Sequence, residues 1–171
     1  MVGGIRASFV AALIAAAALA HPAAAATTYG DSLTGVEVAA SSSEGTFVGT
    51  ATGQLPGAWQ AVVDHGPLPK TVGGTAAITS GSFAVATVLA GHPAVVEGTL
   101  DQNGTGITML SAGARCRKQR FSIVDGLSGV GAGGGSGTGT VSAVLTHYRT
   151  GIFGHCVTYA ASVSGSISLT F

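Results

Sequence analysis

The chain has 171 residues, of which 8% are charged, and seven Lys/Arg balance seven Asp/Glu to a formal net charge of zero. That balance excludes a broad basic face for nucleic acid, and 28 glycines without a three-residue period exclude a collagen-like rod. Charge this sparse implies a surface built from Ser, Thr and Gly.

In chain order, Arg6 gives a positive start, Ala7 to Ala20 run apolar, Pro22 breaks the run, and Ala24-Ala25-Ala26 offer a small-x-small cleavage pattern. This is the plan of a secretory signal peptide. The apolar run falls short of the roughly 20 residues that a membrane helix needs. Residues 1–26 are therefore expected to be removed, leaving no transmembrane helix and placing the mature chain outside the cytoplasm, extracellular or periplasmic. The alanine-rich leader points to a bacterial source. N-terminal sequencing of the exported protein is expected to read Thr27 first, and a product still starting at Met1 would defeat the export reading.

Residues 27–43 read as a loose lead-in ending in Ser41-Ser42-Ser43, and 44–171 as one domain of ordinary size. Thr46 to Thr52 is the first strand-like run. Trp59, Ala61 and Val63 then alternate with Gln60 and Asp64, until Gly66-Pro67-Leu68-Pro69 forces a loop. Thr75 to Leu89 holds two short runs hinged at Ser80-Gly81. Ala94 to Leu100 follows, with Glu97 facing outward. Asn103-Gly104 is a strong hairpin signal, so Thr105 to Leu110 is expected to return along the preceding strand. Asn103-Gly104-Thr105 also spells a glycosylation sequon, but the turn explains the same residues. Gln119 to Val124 carries Phe121 and Ile123 on one side. Gly129, Gly131 and Gly134 spell G-x-G-x-x-G, yet no helix follows to receive a phosphate, so this glycine-rich stretch reads as a hairpin loop.

The clearest pattern is C-terminal. Val157, Tyr159, Ala161, Val163, Ile167, Leu169 and Phe171 hold odd positions, and Ser or Thr fills most of the even ones. Strand side chains alternate faces, which predicts a core face and a hydroxyl face, with Gly165 as a bend or bulge. Val141, Ala143 and Leu145 repeat the alternation. Many short strands without an amphipathic helix predict an all-β fold. A single antiparallel barrel, or barrel-like sandwich, of about 8–10 strands hides its edges best.

Two cysteines, Cys116 and Cys156, are expected to form one disulfide in an oxidising compartment. No C-x-x-C, G-x-S-x-G, H-E-x-x-H or carboxylate pair points to catalysis, and no cofactor or metal set is implied. Two weaker constellations stand out. Arg115, Arg117, Lys118 and Arg120 crowd around Cys116 and could hold an anionic group. His65 and His147 continue apolar stripes to strand ends, Arg149 shares the phase of His147, and His155 and Tyr159 share the phase of the last strand. A barrel mouth would gather such groups around a ligand. The leading expectation is a secreted, non-catalytic barrel that binds a small molecule or a cell-envelope polymer. The rivals are a barrel-cavity enzyme using these His, Arg and Tyr groups, and a small outer-membrane barrel. An aromatic content of 6% is thin for the two interfacial girdles that the last would need.

Overall fold

The computed structural model describes residues 25–102, 104, 106–113 and 116–171. The expected leader thus lies almost wholly outside the described residues, as do Asn103, Thr105 and Arg115. The described chain forms ten strands: β1 (Thr28–Ala40), β2 (Glu44–Gly53), β3 (Gly57–His65), β4 (Thr75–Ala76), β5 (Ile78–Leu89), β6 (His92–Leu100), β7 (Gly106–Ala112), β8 (Gln119–Ala132), β9 (Gly137–Ile152) and β10 (His155–Thr170). The sheet runs β4-β7-β8-β6-β5-β3-β2-β1-β10-β9, and a further β8–β9 pairing closes it. The result is a closed eight-strand antiparallel barrel, because two of its walls are each built from two consecutive pieces. β4 and β5 are divided only by Ala77. β7 pairs with the first part of β8 and β6 with the last, both antiparallel.

This arrangement corrects the reading of Asn103-Gly104. The chain does not double back there: β6 and β7 point the same way and lie end to end along β8. The tight step is local, with the Gly104 N–H donating to the Asp101 carbonyl. Residues 27–43 are likewise no loose lead-in, since the 13-residue β1 is a central wall between β2 and β10. The break in the Thr75–Leu89 segment falls at Ala77 rather than at Ser80-Gly81. Gly165 is no bulge either, because register runs through it to Leu33 on one side and Ala143 on the other. The glycine-rich stretch is a hairpin connection. Gly129 has φ 67° at a register shift, and Gly133 and Gly134, at φ 75° and 85°, make the turn that joins β8 to β9.

The core is the inward phase of every wall. Leu33, Phe47, Trp59, Val63, Phe83, Val85, Val96, Leu127, Val163 and Ile167 form one cluster with Phe121, Ile123 and Leu145. Many outward positions carry hydroxyls, as in the exposed Thr34, Thr50, Ser164 and Ser166, and others carry small apolar residues such as Val36, Val48 and Ala58. Both ends are plugged by side chains. At one end lie Leu55, Leu169 and Val130, and there Tyr29 stacks on Phe171 with ring centres 5.0 Å apart. Asp31 holds that plug in place, its Oδ1 accepting the Leu55 N–H at 2.9 Å. At the other end lie Ile78, Ile107, Met109 and Phe121 with His65 and His147.

The core face predicted for β10 holds only in part. Ala161, Val163, Ile167 and Leu169 are buried, but Val157 is 42% and Tyr159 67% exposed. Register against β9 shifts between Thr158 and Ala160, leaving Tyr159 as an extra residue. One extra residue inverts the alternation beyond it, so the odd positions before Tyr159 leave the core.

Cys116 and Cys156 are disulfide-bonded, with Cα atoms 5.1 Å apart. The bond ties the turn between β7 and β8 to the start of β10. It closes a 40-residue separation, for which the chain-entropy account gives a stabilisation of about 3–4 kcal/mol. Cys116→Ser with Cys156→Ser is expected to lower unfolding free energy by that amount in urea titrations. Loss of less than about 1 kcal/mol would mean that the hairpin opens independently of the barrel.

Candidate functional site

The interior leaves little room. A cavity of about 40 Å³ lies in the core, lined by Leu33, Phe47, Trp59, Ile123, Leu127, Val163 and other apolar side chains. A ligand pocket is roughly 300–1,000 Å³ and carries convergent polar groups, whereas an apolar space near the size of one water stays dry.

The five polar residues expected to meet at a mouth divide into separate settings. His147 is buried on the inner face of β9 and its Nε2 lies 2.9 Å from Glu37 Oε2 on β1. Both side chains are about nine-tenths buried, at 10% and 8% exposure. The Phe121 ring meets the imidazole edge-on at 5.4 Å. The register explains the meeting: Ala161 of β10 lies opposite His147, and β1 runs along the other side of β10. His65 is also buried, and its Nδ1–H donates to the Gly66 carbonyl at 2.6 Å. Arg149 is half-buried, and its Nη2 donates to the Cys156 carbonyl at 3.4 Å, bracing its own hairpin. His155 and Tyr159 are exposed, which overturns their expected inward phase through the shift at Tyr159. No hydrogen bond or ion pair among the described residues joins any two of these five.

Glu37 escaped the sequence reading because β1 went unrecognised as a strand. The inward set Asp31, Leu33, Gly35 and Glu37 alternates with Ser32, Thr34 and Val36 without the apolar contrast that marks β10.

Asp125 is a second missed group. It is 2% exposed on the inner phase of β8 and finds no hydrogen-bond partner for its carboxylate among the described residues. It sits where the neighbour of β8 changes from β7 to β6. Burial pushes its carboxyl above the usual carboxylate range, the Asp101 charge adds to this, and the Gly126 backbone opposes it. The folded state therefore holds the Asp125 proton more tightly than the unfolded chain does. Stability is lost as pH rises from the ordinary carboxylate value through the raised one, and stays lost above it. Asp125→Asn is expected to be more stable than the parent at neutral pH by about 1–3 kcal/mol. The gain should shrink toward zero in acid, below the ordinary carboxylate value. Urea titrations at both pH values check this, and a less stable variant at neutral pH would mean that the carboxylate is ionised and paired.

The cationic group lies on the end of the barrel that holds His147. Arg117, Lys118 and Arg120 are exposed on the β7–β8 turn and the start of β8. The Lys118 ammonium sits 4.9 Å from the centre of the Tyr148 ring, and the Tyr148 hydroxyl lies 3.3 Å from Ser162 Oγ. With the disulfide, these contacts fix the turn against the β9–β10 hairpin. Of the seven Lys/Arg, five (Arg115, Arg117, Lys118, Arg120 and Arg149) fall in this part of the sequence, and Asp125, inside the barrel, is the only acidic residue after Asp101. Comparison of the chain with protein-family models, with characterised proteins and with solved structures finds no match.

Proposed function

We propose that this chain is an exported, non-catalytic β-barrel that works at the cell envelope and binds an anionic partner through one barrel end. The observation that carries the reading is a cation cluster beside the disulfide, on a barrel end whose acidic residues, Glu37, Glu44 and Asp64, belong to β1, β2 and β3. A chain of zero net charge exposes Arg117 and Lys118 on a turn held by a disulfide and a cation–π contact, with Arg120 exposed at the start of β8. Clustered guanidinium and ammonium groups on a fixed frame recognise carboxylate, sulfate or phosphate. The disulfide also suits an oxidising compartment.

The rivals have less support. A cavity enzyme needs polar groups facing a space that admits substrate, whereas the interior is lined by apolar side chains and His147 is engaged by Glu37. An outer-membrane barrel turns apolar residues to lipid and polar ones inward, whereas here Leu, Phe and Trp fill the inside, and Ser, Thr and Glu97 are interspersed with the exposed Val36, Val48, Val88 and Val95 outside.

Retention on an immobilised polyphosphate or sulfated polysaccharide at low salt tests the reading. The parent should be retained and released by added salt, and Arg117→Gln, Lys118→Gln and Arg120→Gln together should weaken binding about tenfold or more. An unretained parent, or a triple variant retained equally, would sink it.

A further inference from the structure

The β9–β10 hairpin outruns the barrel. Pairing of β8 with β9 stops at Gln119 opposite His147, and pairing of β1 with β10 stops at Val36 opposite Ser162. β9 and β10 continue together to Ile152 opposite His155. Residues 148–152 thus run past the end of β8, a length of about 15 Å at the usual rise per strand residue. The β7–β8 turn flanks them as far as Gly151, so that Ile152 to His155 form the free end. Every residue from Thr150 to Ala160 is exposed. A lone two-stranded ribbon is marginal in water, yet this one is anchored by Cys156 to Cys116.

Its tip is apolar. Phe153 is 98% exposed, beside Ile152 at 45%, with Val157 at 42% and Tyr159 at 67% behind. Phe153 and Gly154 form the turn at φ 48° and 81°. The first position of such a turn favours Asn, Asp or Gly, and a bulky residue there is an outlier. Phe153 gives up backbone comfort and buries nothing, so the stability of the barrel supplies no reason for it. Around and below the tip lies a collar. His155 pairs with Ile152, and Arg149 and Tyr159 lie further down the ribbon. The exposed Arg117 and Lys118 follow from Cys116, which is bonded to Cys156 beside Gly151.

We propose that this hairpin is a membrane-docking finger, its Ile152-Phe153 tip entering the acyl boundary of an anionic lipid surface while the cationic collar meets the headgroups. An exposed apolar turn ringed by aromatic and basic residues suits a bilayer interface, where the acyl boundary gives way to charged headgroups. A soluble polyanion would satisfy the collar and leave the tip wet. A second copy docking tip to tip would press two cationic collars together. The inference rests on the anion-binding reading of this end and names its partner.

The test is cosedimentation of the protein lacking residues 1–26, which retains all ten strands, with vesicles of phosphatidylcholine alone or with about one-third phosphatidylglycerol. Binding is expected to the anionic vesicles, weakened by salt and by Arg117→Gln with Lys118→Gln. Phe153→Ser should bind about tenfold more weakly, the loss expected from one unburied aromatic side chain, with an unchanged melting curve. Phe153→Trp should blue-shift its emission on the anionic vesicles. Absence of binding to them, equal binding by Phe153→Ser, or a parent dimer that Phe153→Ser dissolves would overturn the finger. A polyphosphate arm separates the two readings: binding to polyphosphate without binding to vesicles removes the finger and leaves the anion site, and loss of both removes both.

Discussion

Trp59→Ala is expected to cost about 3–5 kcal/mol, near the top of the range for a core aromatic. Trp59 is 5% exposed and lies across the backbone of two neighbouring strands. Gly35 of β1, Gly49 of β2 and Trp59 of β3 are in register as one cross-strand row. A Cβ on Gly35 would come within 2.7 Å of the indole Cζ2, and one on Gly49 within 2.7 Å of its Nε1. The indole therefore occupies the space that two absent side chains leave open. Its Nε1–H donates to the Thr34 carbonyl at 3.1 Å, and its ring packs near Phe83, 6.3 Å between centres. Truncation would open a cavity that two glycines cannot refill, and the strands carrying them would lose the cover that the indole gives. Gly49→Ala should also destabilise, because its Cβ would strike the Thr34 carbonyl and the Gly35 backbone as well as the indole. Urea titration checks both, and a Trp59→Ala loss below about 1.5 kcal/mol would mean that the row can collapse inward.

That row shows what a single sequence can and cannot expose. Trp59, Val63 and His65 were legible as one face because a period of two needs only local contrast, and so were Val163, Ile167 and Leu169. β1 was hidden for a physical reason. Its inward positions are Asp31, Leu33, Gly35 and Glu37, so the phase holds while the hydropathy does not. Gly35 can face the core because Trp59 covers it, a fact set by pairing two strands away. The shift at Tyr159 was hidden for the same kind of reason, since a bulge exists only relative to a partner strand. The hairpin expected at Asn103-Gly104 does not form. Whether the chain reverses there depends on which edge of β8 is open, and β8 accepts β6 and β7 in succession. Of the candidate residues, the basic group near Cys116 was visible as composition. The partner of His147 was not, because Glu37 lies 110 positions away in the chain.

His147→Ala is expected to cost about 3–5 kcal/mol, and the partner, more than the lost histidine, sets that figure. Glu37 reaches into the barrel end with its side chain 8% exposed, and the imidazole Nε2 at 2.9 Å is its hydrogen-bond partner among the described residues. Removing the imidazole takes from the largely buried Glu37 its hydrogen-bond partner among the described residues, and a buried acid stripped of its partner costs more than a lost hydrogen bond between neutral groups. Removing the acid is milder: Glu37→Gln keeps the shape and an acceptor oxygen, and should cost about 1 kcal/mol. Glu37→Leu combined with His147→Leu takes away both polar groups and should recover most of the loss, since apolar replacement of a buried pair is often close to neutral. A coupling energy above about 1.5 kcal/mol in that double-mutant cycle is the expected signature of residues in direct contact. Additive losses would show that the two groups do not share their burial, and would assign the cost to the packing of His147 against Phe121 alone.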